Sequence, residues 1–283
     1  MSAGVGMVSY QQDIEEWQSR RLKKLTAEDG WTTLAGLLWL EPGDNSFGRA
    51  ASNKIVLEYP GLPEQAGVFR VRGTQVDFTT APPAEILHDG RTVTSIGPLV
   101  GDNGGKPTIL KTGTLSFYLL ERSGRLAIRV RDSAAATRTH FQGLEYFPID
   151  EKWRLTARFE PYQPMKKVSV VNVLGMEEEM PSPGVLVFEI DSRQYRLETL
   201  LETGESDYFV MFTDLTNGRR TYAAGRCLYV SPPLEGTTVI DFNKAYNPPC
   251  CFTPFATCSL PQPQNHLLLA VTAGELNYIG VHH

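Results

Sequence analysis

No apolar run in this 283-residue chain approaches the roughly 20 residues that a membrane-spanning helix needs. There is no excess of basic charge either: 27 Lys and Arg stand against 32 Asp and Glu, a formal net charge of -5. A surface built to neutralise nucleic-acid phosphates should be basic, so the composition argues against that partner as well as against membrane insertion. Cysteine is scarce, four residues in all, too few for a disulfide scaffold, and no Asn-x-Ser/Thr acceptor occurs. The start, MSAGVGMVSYQQDIEEW, has neither a basic beginning nor a continuous apolar stretch, so it does not read as a secretory signal. Together these point to a soluble, cytoplasmic protein.

The signatures that name a chemistry are missing too. There is no G-x-S-x-G elbow, no H-E-x-x-H, no G-x-x-x-x-G-K-[ST] and no G-x-G-x-x-G. GDNGGKPT near residue 101 has the wrong spacing for a phosphate loop, and Pro107 blocks a following helix, so it reads as a surface turn.

What is present is mostly strand. One amphipathic helix is expected over Tyr10 to Leu25, with Ile14, Trp17 and Leu25 on one face and acids preceding bases in the order that suits the helix dipole. In DGWTTLAGLLWLEPGDNSFGR, Gly30, Gly36, Gly43 and Gly48 then break up an apolar run, which fits a short buried strand entering a turn, with Trp31 and Trp39 in the core. From Lys54 onward IVLEY (55–59), VFRVR (68–72) and QVDFT (75–79) are short β-type runs between Gly and Pro. Turn signals follow at His88-Asp89-Gly90, Ser123-Gly124, Asp191-Ser192 and Asn217-Gly218. The expected fold is all-β, a sandwich or barrel-like set of antiparallel sheets, with a helical extension over 1–30 and a single β domain over 31–283. If an internal boundary exists, DSAAATRTHFQG (132–143) is the place for it; MEEEMPSPG (176–184) reads as a solvated acidic loop.

The most distinctive stretch is Asp241 to Asn265, DFNKAYNPPCCFTPFATCSLPQPQN, with three of the four cysteines and five of the nineteen prolines. Proline fixes φ and removes a backbone donor, so this segment must follow a defined irregular path. With GDNSFGRAASNKIVL, RVRDSAA, FPIDEKWRLTARFEP and FTDLTNGRRTYAAGRCL, in this order, the stretch resembles a family of bacterial and archaeal proteins catalogued only as a domain of unknown function. The resemblance runs from about Trp31 to about Tyr278 and implies no reaction, substrate or cofactor. Ser259 stands where that family is expected to have proline.

Candidate chemistry centres on that loop. Cys250, Cys251 and Cys258, with His266 nearby, lack the C-x2-C to C-x4-C spacing of structural zinc, so no metal is expected. A thiol nucleophile needs a neighbour that lowers its pKa, and buried cysteine is the plainer reading. A Cys250–Cys258 disulfide is sterically allowed, though a reducing compartment opposes it. Asp241, Asn243, Tyr246, Asn247, Arg226 and Tyr222 lie within 26 residues and can converge at one end of a sheet if Val239-Ile240-Asp241 ends a strand. The same polar groups can instead satisfy the proline-rich backbone. In RLAIRVRD, Arg129 and Arg131 share one strand face, solvated or aimed at an anion, followed by Asp132 and His140 as acid or base candidates. Asp132, Asp214, Asp241 and Glu275 are too scattered for a glycosidase pair to be chosen.

Two readings result. In one, Arg131 and Arg226 hold a small anionic molecule between the RVRD strand, a TYAAGR strand and the loop; Asp132 or Asp241 is acid or base, and Tyr222, Asn243, Tyr246 and Asn247 orient the ligand. In the other, the chain is a non-catalytic β module whose loop is structural and whose surface binds another protein. Cofactor and oligomeric state are unassigned at this level.

Overall fold

The structure, a computed structural model, describes residues 9–280; the reading of residues 1–8 as no secretory signal lies outside them. Strands make up 42% of the chain and helices 14%, which settles the class as all-β. Two compact units form, Thr26–Phe141 and a second that joins the helix ending at Leu25 to everything from Gln142 onward. Among the described residues one buried apolar cluster, around Phe47 and Phe69, belongs to the first of these, and two, around Phe242 and around Val170 and Met211, belong to the second. The break at Gln142 falls inside the 132–143 segment.

The unit Thr26–Phe141 is a sandwich. Strands β1 (Leu34–Trp39), β2 (Gly43–Gly48), β3 (Ile55–Val56), β4 (Gly67–Arg72), β5 (Gln75–Thr80), β6 (Leu87–His88), β7 (Arg91–Thr92), β8 (Ser95–Ile96), β9 (Leu110–Thr112), β10 (Leu115–Arg122) and β11 (Arg125–Asp132) divide between two sheets. Their orders are β1-β11-β10-β9-β6-β7 and β3-β2-β4-β5-β8. Alternation along β4 sends Phe69 and Val71 inward while Arg70 and Arg72 face out. Phe47 from one sheet meets Phe117 from the other edge-on, with ring centroids 5.3 Å apart. A short helix, Ala136–Thr139, follows β11. The expected hairpins form, the first with its turn narrowed to Asp89-Gly90 because His88 pairs with Arg91, the second at Ser123-Gly124; φ is positive at all four turn residues, the twist that a two-residue connection requires.

Trp31 and Trp39 are only half-buried, not core. Arg129 and Arg125 lie over their respective rings, so these indoles serve as platforms for strand-borne cations. Arg129 is correspondingly buried rather than solvated, and burial lowers its pKa.

In the other unit the helix α1 (Tyr10–Leu25) buries Ile14 and Leu25. Strands β12 (Arg154–Val171), β13 (Glu177–Ile190), β14 (Arg193–Glu198) and β17 (Thr237–Asp241) make a sheet ordered β14-β13-β12-β17, and β15 (Tyr208–Phe212) pairs with β16 (Arg226–Val230). Phe188, Phe212 and Phe242 meet in the core, the last two edge-on at 5.3 Å. Two expectations need correction. Glu177 to Gly184 is strand, not loop: Val171, Val170 and Ser169 pair with Glu177, Glu178 and Glu179 in a two-stranded ribbon. TYAAGR is not a strand; residues 221–225 form a bridge and turn, and the strand begins at Arg226.

Candidate functional site at the C-terminal loop

Asp241 ends β17, and the chain leaves the sheet through a 3-10 turn over Phe242–Lys244. From there to Asn265 the path is irregular, with further 3-10 turns at Pro249–Cys251 and Pro263–Asn265, as the prolines dictate. Asp241 Oδ1 accepts from the Asn243 amide at 3.1 Å and from the Tyr10 hydroxyl at 2.9 Å. Asn243 Nδ2 donates to Tyr10 Oη at 2.8 Å and to the Asp150 carbonyl at 2.9 Å. Asp241 and Asn243 thus clamp the first turn of α1. Burial and the Asp241 carboxylate hold the Tyr10 phenol protonated well above its usual range.

Asn247 is fully buried. Its amide donates to Glu275 Oε2 at 2.7 Å and its side-chain Nδ2 to the Leu276 carbonyl at 2.7 Å. Arg21, from the C-terminal half of α1, donates through Nε to Glu275 Oε1 at 2.9 Å and through Nη2 to the Asn247 carbonyl at 2.8 Å. Its guanidinium lies 4.7 Å from the Tyr246 ring centroid. Burial works against the Arg21 charge, but Glu275 more than restores it and raises the pKa. Arg21 and Glu275 were missed as a pair by sequence reasoning. The signal was available: Arg21 lies four residues from both Trp17 and Leu25, which puts a charge on the apolar stripe of α1.

Arg226 is fully enclosed. Nη2 donates to Asp214 Oδ2 at 2.8 Å and to the Val271 carbonyl at 2.9 Å, Nη1 donates to the Ala273 carbonyl, and the guanidinium lies 5.3 Å from the Phe212 ring. Both members of the Arg226–Asp214 pair have 0% side-chain exposure. Burial lowers the Arg226 pKa and Asp214 opposes that shift. The pair fastens strand β16 to the closing segment 271–275.

Tyr222 donates to the Cys250 carbonyl at 3.0 Å, and the Cys250 amide donates to Cys258 Sγ at 3.2 Å. The Cys258 thiol, as hydrogen-bond donor, pulls the Cys250 pKa down to about 7, while Cys250 and burial push Cys258 up. Burial pushes Cys251 up to about 12 and raises Cys227 further. His266 is engaged elsewhere, its Nδ1 2.9 Å from Thr213 Oγ1. Among the described residues no three His, Cys, Asp or Glu side chains gather closely enough to hold a metal.

Arg131 and Asp132 belong to the sandwich unit. Arg131 stacks over the Tyr118 ring at 5.1 Å, and among the described residues its Nε has no hydrogen-bond partner. Asp132 is buried and accepts from Tyr59 and from the Ala134 amide, which makes it a turn-forming carboxylate at the end of β11. His140 is exposed and follows the Ala136–Thr139 helix. The predicted set therefore divides into Asp241 with Asn243, Tyr246 with Asn247, Tyr222 with the cysteines, Arg226 with Asp214, and the separate Arg131 and Asp132. A depression of about 440 Å³ opens in the helix-containing unit, lined by Lys152, Trp153, Leu155, Glu189, Asp191 and Leu269, none of them among the predicted residues.

Residues 139–276 match the model of a family described as "Protein of unknown function (DUF1684)". One continuous stretch of the chain thus resembles that family. Four of the five clusters above lie inside it, including the whole Asp241 to Asn265 stretch on which the resemblance chiefly rests; GDNSFGRAASNKIVL and RVRDSAA fall outside the matched residues. No curated protein matches the chain. A solution NMR structure of an uncharacterized protein of Haloarcula marismortui is 28% identical over 49% of this chain and 78% of that one, with a TM-score of 0.42. Among the described residues no helix is long and apolar enough to cross a membrane.

Proposed function

We propose that the chain is a non-catalytic β module in which the 241–265 loop is a structural staple and the adjoining surface binds another protein. The observation that carries this reading is the enclosure of Arg226. An arginine with 0% side-chain exposure, donating to a carboxylate and to backbone carbonyls, has its charge and its fork geometry committed to the fold. Asp241, Asn243 and Asn247 are committed in the same way.

The surface we assign to the partner is the tip of the β12–β13 ribbon. Asn172 Oδ1 caps its turn by accepting from Leu174 N and Met176 N, and the tip is tied to the loop by bonds from Val173 N to Cys258 O and from Leu260 N to Val171 O. Val171, Val173 and Leu174 are nonetheless exposed, a rigid group of apolar side chains within four residues. A photo-crosslinker at Leu174 should give one discrete adduct with a single protein that disappears in Val173→Glu. Absence of any discrete adduct, with thermal stabilisation by a small anion instead, would refute the module reading.

A second reading keeps the small anion and places it at Arg131, favoured by its unpartnered Nε over the Tyr118 ring. Arg131→Lys should then abolish stabilisation by that anion, since a lysine cannot reproduce the fork. Both readings keep the chain away from nucleic acid, as the net charge of -5 supports.

A further inference from the structure

The four cysteines divide by environment. Cys227 and Cys251 are buried, whereas Cys250 and Cys258 are partly exposed and face each other across the loop. Pro248 and Pro249 set the entry to the 3-10 turn, which leaves the Cys250 amide free of the turn's own bonding and directed at Cys258 Sγ, 3.2 Å away. An N–Cα bond is about 1.5 Å, so the Cys258 sulfur is held within about 5 Å of the Cys250 Cα, the range from which a side-chain rotation can join two sulfurs. Tyr222 closes the other side, its hydroxyl on the Cys250 carbonyl and beside the thiol.

We propose that Cys250 and Cys258 are a reactive dithiol in which Cys250 attacks a hydroperoxide and Cys258 converts the product into an intramolecular disulfide. The Cys250 thiolate attacks the distal peroxide oxygen and the O–O bond breaks; a proton goes to the leaving oxygen, giving an alcohol, or water when the oxidant is hydrogen peroxide. Cys250 is then a sulfenic acid. The Cys258 thiol displaces its hydroxyl as water and the S–S bond forms, so two thiols lose two electrons and two protons to the peroxide. The reactive form of Cys250 is favoured at neutral pH because the Cys258 thiol donates to it, while Cys251, at about 12, stays protonated. This inference does not depend on the partner-binding reading.

The test treats the full chain with stoichiometric hydrogen peroxide, counts free thiols, and maps linkages after chymotryptic cleavage at Phe252 and Phe255, which parts Cys258 from Cys250 and Cys251, with fragment-ion sequencing of the linked peptides to tell Cys250 from its neighbour Cys251. Expected are the loss of two thiols, a mass lower by two hydrogens, and one linkage joining the peptides that hold Cys250 and Cys258. The oxidation rate should rise with pH through about 7. Cys258→Ala should stop at a sulfenic acid on Cys250 that dimedone captures, formed about tenfold more slowly at pH 7 as the thiol returns toward its ordinary pKa of about 8.5. No thiol loss in the parent protein, a linkage through Cys227 or Cys251, or unchanged oxidation of Cys258 in Cys250→Ser would each overturn the proposal. The linkage map of the unsubstituted chain decides the matter even if a variant fails to fold.

Discussion

A guanidinium carries five N–H donors and no acceptor, so a fold that buries one must supply oxygens on several sides. Arg226 meets most of that demand with Asp214 and the carbonyls of Val271 and Ala273, and only Nε is left without a partner among the described residues. Asp214 in turn receives the Thr216 amide and hydroxyl at 2.8 and 2.6 Å, so the pair sits in a nearly completed polar network. Such a pair contributes little net stability compared with apolar packing, yet removing one partner leaves a buried charge with no counterion. Arg226→Ala should therefore cost about 3–5 kcal/mol in urea unfolding. Arg226→Lys should also be markedly destabilised, because an ammonium on a shorter reach cannot serve carbonyls and carboxylate together. A variant as stable as the parent, with altered affinity for small anions, would return Arg226 to a ligand-binding role.

At the scale of elements, the β12–β13 hairpin accounts for much of what the sequence concealed. Its acidic, proline-containing strand lies in a ribbon largely open to solvent, so no inward face demands the alternation by which strands are recognised, and Glu177 to Glu179 carry no such signal. Hairpins at Asp89-Gly90, Ser123-Gly124 and Asp191-Ser192 were legible because a two-residue turn demands residues that tolerate positive φ, a local requirement. The strand end at Asp241 and the irregular loop were legible for the same reason, since proline chemistry is local. Which oxygens would surround Arg226 was not, because Val271 and Ala273 lie 45 and 47 residues away and act through their backbones. Gly184 marks the closest approach in the hairpin. A Cβ there would lie 2.3 Å from the Glu160 carbonyl oxygen and 2.7 Å from the Phe159 ring, and backbone cannot yield as a flexible side chain can. Gly184→Ala should lower stability by about 1–3 kcal/mol, read as a shift in the denaturation midpoint at unchanged slope. No shift would show that the two strands can separate locally at no cost.

At the scale of the whole molecule, the order of segments along the chain differs from their grouping in space. The helix α1 comes first, the sandwich of Thr26–Phe141 second, yet α1 is part of the compact unit that holds residues 142–276 of the family match. Its contribution there is specific. Arg21 has 12% side-chain exposure and its partner Glu275 none, and Glu275 otherwise has the Asn247 amide as its donor. Ile14 and Leu25 are both fully buried, each worth about 1.5–3 kcal/mol of apolar burial. Loss of the helix would strip the counterion from a buried carboxylate and expose the apolar surface it covers, whereas the sandwich keeps the Phe47, Phe69, Phe78 and Phe117 core that its own strands supply. A chain beginning at Thr26 should consequently show faster amide exchange throughout the strands of the Gln142 unit and unchanged exchange in Phe69 to Val76 and Leu115 to Val130. Arg21→Met, which keeps the apolar stem and removes the charge, should reproduce the effect most strongly around Asn247 and Glu275. Equal loss of protection in both units would mean that they unfold as one, and no loss in either would mean that α1 is an appendage.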